Sequence, residues 1–214
     1  LSGFDVPVIA NIAGHTIDEY CAVVERLNET SVAMYELNIS CPNIAQGGIT
    51  FGTDPKMAAL VTERVKRASK KPLIVKLTPN VTDIAGIACA VEGAGADAVS
   101  LINTLLGMRI DLNLRRPVLA NRTGGLSGPA IKPVAVRMVY EVRRAVKIPI
   151  IGMGGIMTGD DAVEFLMVGA DAVAVGTAAL INPTAPMEIL KQLERFMERQ
   201  GFFKVSQLHE AFEG

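Results

Sequence analysis

A thiol and three side-chain amides crowd one short stretch, ELNISCPNIAQGG (residues 36–48), where Asn38, Cys41, Asn43 and Gln46 close a run patterned like a buried strand. A purely structural loop is more often made of Gly, Ser and Asp. Pro42 and the flanking amides set Cys41 on a polar loop, where its thiol can act on a substrate. The competing reading is that of a small buried hydrophobe, the commoner role of a free cysteine. A second chemistry-bearing position is Lys76, nearly surrounded by apolar residues in VKL. A lysine inside a strand is rarely buried without an anionic or carbonyl partner, which makes a bound ligand the natural candidate; the alternative is a lysine snorkelling at a rim. Third come Gly154-Gly155 and Gly176-Thr177, each at the end of an apolar run, where side-chain-free amides can approach a phosphate. Cys21 and Cys89 fall on apolar helix faces and read as structural, while His15 and His209 stand alone. No carboxylate pair or Cys/His cluster has metal-ligand spacing, so no metal site is expected.

Such groups converge only if a scaffold brings them to one place. Short β-branched runs alternate with helical patterns along the whole chain, the pattern of repeated βα units and a parallel sheet. The candidate strands are Val6–Ala10, Tyr35–Ile39, Leu73–Leu77, Ala98–Ile102, Pro149–Gly152 and Ala172–Val175, apolar on both faces as in strands covered on both sides. Thr16 and Glu19 form a capping box that opens a helix with Tyr20, Val23, Val24 and Leu27 on one face. Asp54-Pro55 is an N-cap and first-turn pair, followed by Met57, Leu60, Val61 and Val65 at helical spacing. Gly95-Ala96-Asp97-Ala98-Val99 recurs as Gly169-Ala170-Asp171-Ala172-Val173, each copy at a helix end before a strand. A long loop spans Thr104 to Gly128, and loops of this length in compact domains tend to be functional.

These elements predict an α/β fold, a TIM (β/α)8 barrel with about six βα units in a single domain over residues 1–214. A doubly wound dinucleotide-binding sheet is disfavoured because no G-x-G-x-x-G follows the first strand. Six strands do not close a barrel of eight, so either two units precede this segment or the sheet is open. In a barrel the active groups belong at the C-terminal strand ends. Asn11, Asn38, Cys41, Lys76, Asn103 and Thr104 fall there.

Composition narrows the partners. Lys+Arg 21 against Asp+Glu 22 leaves a net charge of -1 without like-charge blocks, which argues against a nucleic-acid partner. No uncharged apolar run approaches the roughly 18 residues of a membrane span, and neither disulfide spacing nor a signal-like opening occurs. A cytoplasmic protein is expected, with no membrane association.

The segments NISCPN (38–43), FGTDP (51–55), VKLTPNVTDI (75–84), INTLLGMRIDL (102–112), GGLSGPAIKPVAVRMVYEV (124–142) and IPIIGMGGIMTGDDA (148–162) closely resemble dihydroorotate dehydrogenase, most of all the class 1 enzymes of subtype B. This resemblance implies oxidation of dihydroorotate to orotate in pyrimidine biosynthesis with FMN as cofactor. It matches Cys41 to the base that takes the C5 proton, while the C6 hydride goes to FMN. Asn38, Asn43, Asn103 and Thr104 match residues that hold the pyrimidine. Lys76 matches the lysine at the N1/O2 edge of the isoalloxazine, where its charge stabilises the reduced anionic flavin. Ile102 and Gly128 match flavin contacts, Gly154, Gly155, Gly176 and Thr177 the phosphate cradle, and Asn11 and Asn38 further cofactor contacts. The subtype implies a homodimeric core joined to an electron-transfer subunit that carries FAD and a 2Fe-2S cluster and delivers electrons to NAD, with fumarate as the rival acceptor. Because Val6–Ala10 resembles the family's third barrel strand, about two βα units, with a lysine and a substrate loop, are expected to be missing. Two other readings stand beside this one: a related FMN barrel acting on another dihydropyrimidine, and a non-catalytic truncated barrel that serves in assembly.

Overall fold

The computed structural model describes residues 5–40 and 51–214, so Cys41, Asn43 and Gln46 lie outside the described residues. Six parallel strands form the central sheet: β1 (Ile9–Ile12), β2 (Met34–Asn38), β3 (Leu73–Lys76), β4 (Ala98–Leu101), β9 (Ile150–Met153) and β10 (Ala172–Ala174). Between β4 and β9 the chain adds two small antiparallel pairs, β5 (Leu105–Met108) with β8 (Thr123–Leu126), and β6 (Ile110–Asp111) with β7 (Arg116–Pro117). The stretch expected to be one long loop is therefore a ribbon built at a strand end.

The sheet order is β1-β2-β3-β4-β9-β10, sequential throughout, with no reversal at which a doubly wound sheet would switch direction. The helices confirm this winding. These are α1 (Ile17–Leu27), α2 (Pro55–Ala68), α3 (Ile84–Gly93), α4 (Lys132–Arg143) and α5 (Gly159–Met167), and each packs on the next. A short α6 (Thr177–Ile181), α7 (Ala185–Gln200) and α8 (Ser206–Glu210) complete the chain, α7 and α8 both against α5. Right-handed crossovers that always advance one strand keep every helix on the same side, as in a barrel. Among the described residues β1 and β10 remain unpaired edges, so the sheet is a barrel segment and not a closed cylinder.

Strand periodicity divides the side chains between two destinations. Tyr35 and Leu37 of β2 and Leu73 and Val75 of β3 are fully buried in the core beneath the helices. Glu36, Asn38, Lys76 and Ser100 alternate with core residues and take the concave side. That face is polar towards the C-terminal strand ends, contrary to the expectation of strands apolar on both faces.

Local signals held with some changes. The Thr16 side chain accepts from Glu19 N, but the Glu19 carboxylate takes its bond from His15 N at 2.6 Å, so the reciprocal half of a capping box is absent. Tyr20 and Val24 are buried, whereas Val23 and, on α2, Leu60 are exposed, because the buried stripe on each helix is narrower than the apolar one. Asp54 caps α2 through Met57 N, as expected. The two GADAV copies are structurally equivalent: Gly95 and Gly169 take φ of +95° and +106°, and each Asp side chain accepts from the first N–H of a neighbouring strand. The first strand runs Ile9–Ile12 and not Val6–Ala10, which puts Asn11 inside it. Cys21 is half-buried and Cys89 is exposed, its thiol 3.5 Å from the Ala145 carbonyl oxygen, so Cys89 does not share the buried setting expected for it.

Candidate active site

At the C-terminal ends of the strands a cavity of about 430 Å³ opens between β2, β3, β4, β9 and β10. Its volume lies within the ~300–1,000 Å³ usual for small-molecule sites. Its lining combines the apolar side chains of Ile102, Ile131, Met153, Ile156, Val175 and Leu180 with the polar groups Glu36, Lys76, Asn103, Thr104, Ser127 and Thr177. A ligand with a flat apolar body and hydrogen-bonding edges suits such walls.

Glycines complete the lining. Gly154 and Gly155 follow β9 with φ of +123° and +85°, and Gly128 precedes α4 with φ +87°. A Cβ on Gly155 would lie 2.7 Å from the Gly128 carbonyl oxygen and 2.9 Å from Lys132 Cβ, so this glycine is required by close approach of the protein to itself. Gly176 differs, since an added Cβ there would meet no atom within 4 Å while the residue lines the cavity. The Thr177 hydroxyl donates to Ser127 Oγ at 3.0 Å and ties the turn after β10 to the loop that carries Gly128.

On the polar side Glu36 occupies a position that sequence reasoning missed. Its Oε2 accepts from Asn11 Nδ2 at 2.5 Å, its Oε1 accepts from Ser100 Oγ at 2.7 Å, and Lys76 Nζ lies 3.5 Å from Oε2. The lysine thus has a carboxylate partner within the protein, where the sequence pointed to a bound ligand or a position at the rim. Nearby, Asn38 Oδ1 accepts from the Ser40 hydroxyl at 2.5 Å, and Ser40 in turn takes a short bond from Asn103 Nδ2. Backbone bonds from Ile102 N to Met153 O and from Asn103 N to Leu77 O carry the chain beyond β4 between its two neighbours, through a cis peptide at Leu101–Ile102.

A second cavity of about 480 Å³ adjoins the first and shares Asn103 and Thr104 with it. Asn80 lies on its wall and joins two loops: its amide donates to the Thr104 carbonyl at 3.0 Å, and its Oδ1 accepts from Leu106 N at 2.9 Å. Sequence reasoning missed Asn80 as well, although it sits within a segment quoted for its resemblance. Of the expected site residues, Lys76, Ile102, Asn103, Thr104, Gly128, Gly154, Gly155, Gly176 and Thr177 line the first cavity. Asn11 reaches it through Glu36, and Asn38 connects to it through Ser40 and Asn103. Among the described residues no group of His, Cys, Asp and Glu is arranged to hold a metal ion, and no helix is long and apolar enough to cross a membrane.

Residues 2–197 match the sequence profile of dihydroorotate dehydrogenase. The chain belongs to the dihydroorotate dehydrogenase family, a family of oxidoreductases. It is 59% identical over 199 residues to the dihydroorotate dehydrogenase B (NAD(+)) catalytic subunit of Alkaliphilus metalliredigens, covering 93% of this chain and 66% of that protein. The subunit of the same name from Alkaliphilus oremlandii is 56% identical over 210 residues, 98% of this chain and 68% of the relative. That of Trichlorobacter lovleyi is 58% identical over 215 residues, 100% of this chain and 71% of the relative. The chain therefore spans about two thirds of the length of the dihydroorotate dehydrogenase subunits it matches.

Proposed function

We propose that this chain forms the FMN-holding barrel segment of a dihydroorotate dehydrogenase that oxidises dihydroorotate to orotate in pyrimidine synthesis. The observation that supports this reading most is one cavity that gathers Lys76, Asn103, Thr104 and the glycines of three separate loops at one end of the sheet. The fit to FMN rests on the same cavity, whose lining offers apolar side chains for a planar ring, the Lys76 ammonium for a polar edge, and at Gly176 a backbone open to a phosphate. When bound, FMN supplies a two-electron acceptor for the hydride from C6 of the substrate.

The protein's own residues account for the rest. Cys41, as thiolate, takes the C5 proton, so that loss of proton and hydride together leaves the C5–C6 double bond of orotate. A free cysteine has a pKa near 8.5, and a modest depression supplies the base near neutral pH. Asn38, Asn43, Asn103 and Thr104 hydrogen-bond the pyrimidine and its carboxylate. Lys76 would sit at the ring edge, Asn11, Asn38, Ile102 and Gly128 would hold the cofactor, and Gly154, Gly155, Gly176 and Thr177 would receive its phosphate. The remaining third of the relatives' length would supply the further βα units that close the barrel. An electron-transfer subunit carrying FAD and 2Fe-2S, docked on a homodimeric core in the cytoplasm, would pass the electrons on to NAD.

Stopped-flow reduction of the FMN-loaded protein by dihydroorotate tests the reading. Cys41→Ser should slow flavin reduction by orders of magnitude at pH 7, leave orotate binding within about threefold, and recover in part as pH rises. Wild-type reduction rates in that variant would remove Cys41 from the base role.

A further inference from the structure

We propose that Glu36 is a charge-offsetting residue: its carboxylate partly cancels the Lys76 ammonium where the pair faces the cavity, and so lowers the reduction potential of the cofactor held there. This rests on the FMN reading above. Among the described residues Glu36 is the acidic side chain lining that cavity, and the partners on its two oxygens are the Asn11 amide, the Ser100 hydroxyl and the Lys76 ammonium, from three different strands. A glutamate carboxylate offers only acceptors, and each of these partners brings it an N–H or O–H. Its position is set by the two hydrogen bonds at 2.5 and 2.7 Å and not by the lysine, whose Nζ stands further off at 3.5 Å. Lys76 is thus charge-paired yet keeps N–H donors for a ligand. The side chains are only 14% and 20% exposed, so water screens the pair weakly.

The sign follows from the charges. A reduced flavin carries more negative charge than the oxidised one, so an uncompensated Lys76 favours the reduced form and raises the potential. A fixed negative charge beside it does the reverse. If Glu36 served only to anchor Lys76, its loss would let the ammonium drift and the potential would fall.

Spectroelectrochemical titration of the FMN-loaded protein separates these cases without recourse to turnover. Glu36→Gln should favour the reduced cofactor at least tenfold, a rise of about 30 mV for a two-electron couple. Lys76→Gln should lower the potential, and the double variant should return close to the wild-type value. A potential unchanged in Glu36→Gln, or one that falls as it does in Lys76→Gln, overturns the proposal. Should Glu36→Gln not fold, Glu36→Asp, which draws the charge back by one methylene, must still raise the potential by a smaller margin, and a flat result there overturns it equally. A wild-type protein that takes up no FMN at all refutes the cofactor reading itself, and the inference falls with it.

Discussion

Lys132 Nζ donates to Asp161 Oδ1 across 2.7 Å and so fastens the first turn of α4 to the first turn of α5, on either side of the Gly154-Gly155 loop. The other oxygen of Asp161 accepts from Met157 N, Thr158 N and the Thr158 hydroxyl, all within 2.9 Å. One side chain therefore caps α5, shapes the loop and pairs with α4. Burial pushes the Asp161 carboxyl up, but the bonds from Lys132, Met157 and Thr158 together outweigh it and hold the group below its ordinary value. Bonds to Asp161 and Glu164 hold the Lys132 ammonium above the usual lysine value, in agreement with that direction. A carboxylate depressed in the folded state contributes stability that is present above its unfolded pKa and is lost as pH falls through the folded one. Asp161→Asn should thus cost about 2 kcal/mol at pH 7. In denaturant titrations the gap between wild type and variant should narrow as pH drops below about 4. A gap of constant size down to pH 3 would show that the charge of Asp161 contributes nothing.

The GADAV repeat yields a second expectation. Asp97 Oδ2 accepts from Leu73 N at the start of β3 and from Lys66, while Asp171 Oδ2 accepts from Ile150 N at the start of β9 and from Arg143. Each aspartate thus staples an incoming strand to its neighbour and to the helix before it. Both carboxylates are substantially exposed, so each Asp→Asn change should cost only about 1 kcal/mol. With no partner in common, the two losses should add within about 0.5 kcal/mol. Chemical denaturation of the single and double variants measures this, and a marked excess in the double variant would mean that the two staples are coupled.

That repeat was legible because it is local: a helix end, a glycine in the left-handed region and a strand start follow one another in the chain. Strand positions were legible for the same reason, since buried parallel strands leave dense apolar runs. The first strand was misplaced by about three residues, because VPVIA has the composition of a strand while Pro7 has no N–H to give a ladder and pairing with β2 begins at Ile9. The 104–128 ribbon escaped notice because its outer pair is closed by another hairpin and not by a short turn, so no two-residue turn signal marks it. Glu36 was the larger omission. Alternation gives the face of a strand residue, but the partners of Glu36 lie 25 and 64 positions away on β1 and β4, and only the assembled sheet brings them together. The thiol and amide of Cys41 and Asn43 were chosen from sequence alone and lie outside the described residues.

The glycines supply the last test, because the geometry separates two reasons for having one. At Gly155 a Cβ would run into the Gly128 carbonyl and Lys132, and its φ of +85° disfavours any side chain. Gly155→Val should destabilise the fold by about 3 kcal/mol, so any loss of FMN in that variant would be uninformative about where the phosphate sits. Gly176 has φ -108°, outside the left-handed region, and an added Cβ meets nothing within 4 Å. Gly176→Val should therefore leave stability within about 0.5 kcal/mol of wild type, as for a substitution that disturbs no packing. Its side chain should instead exclude the phosphate and weaken FMN binding at least tenfold, while riboflavin, which lacks the phosphate, should lose much less. Fluorescence titrations with the two flavins, run beside denaturation curves, measure both quantities. Equal losses for FMN and riboflavin would move the phosphate away from Gly176, and an undiminished FMN affinity would move the cofactor out of this end of the cavity altogether.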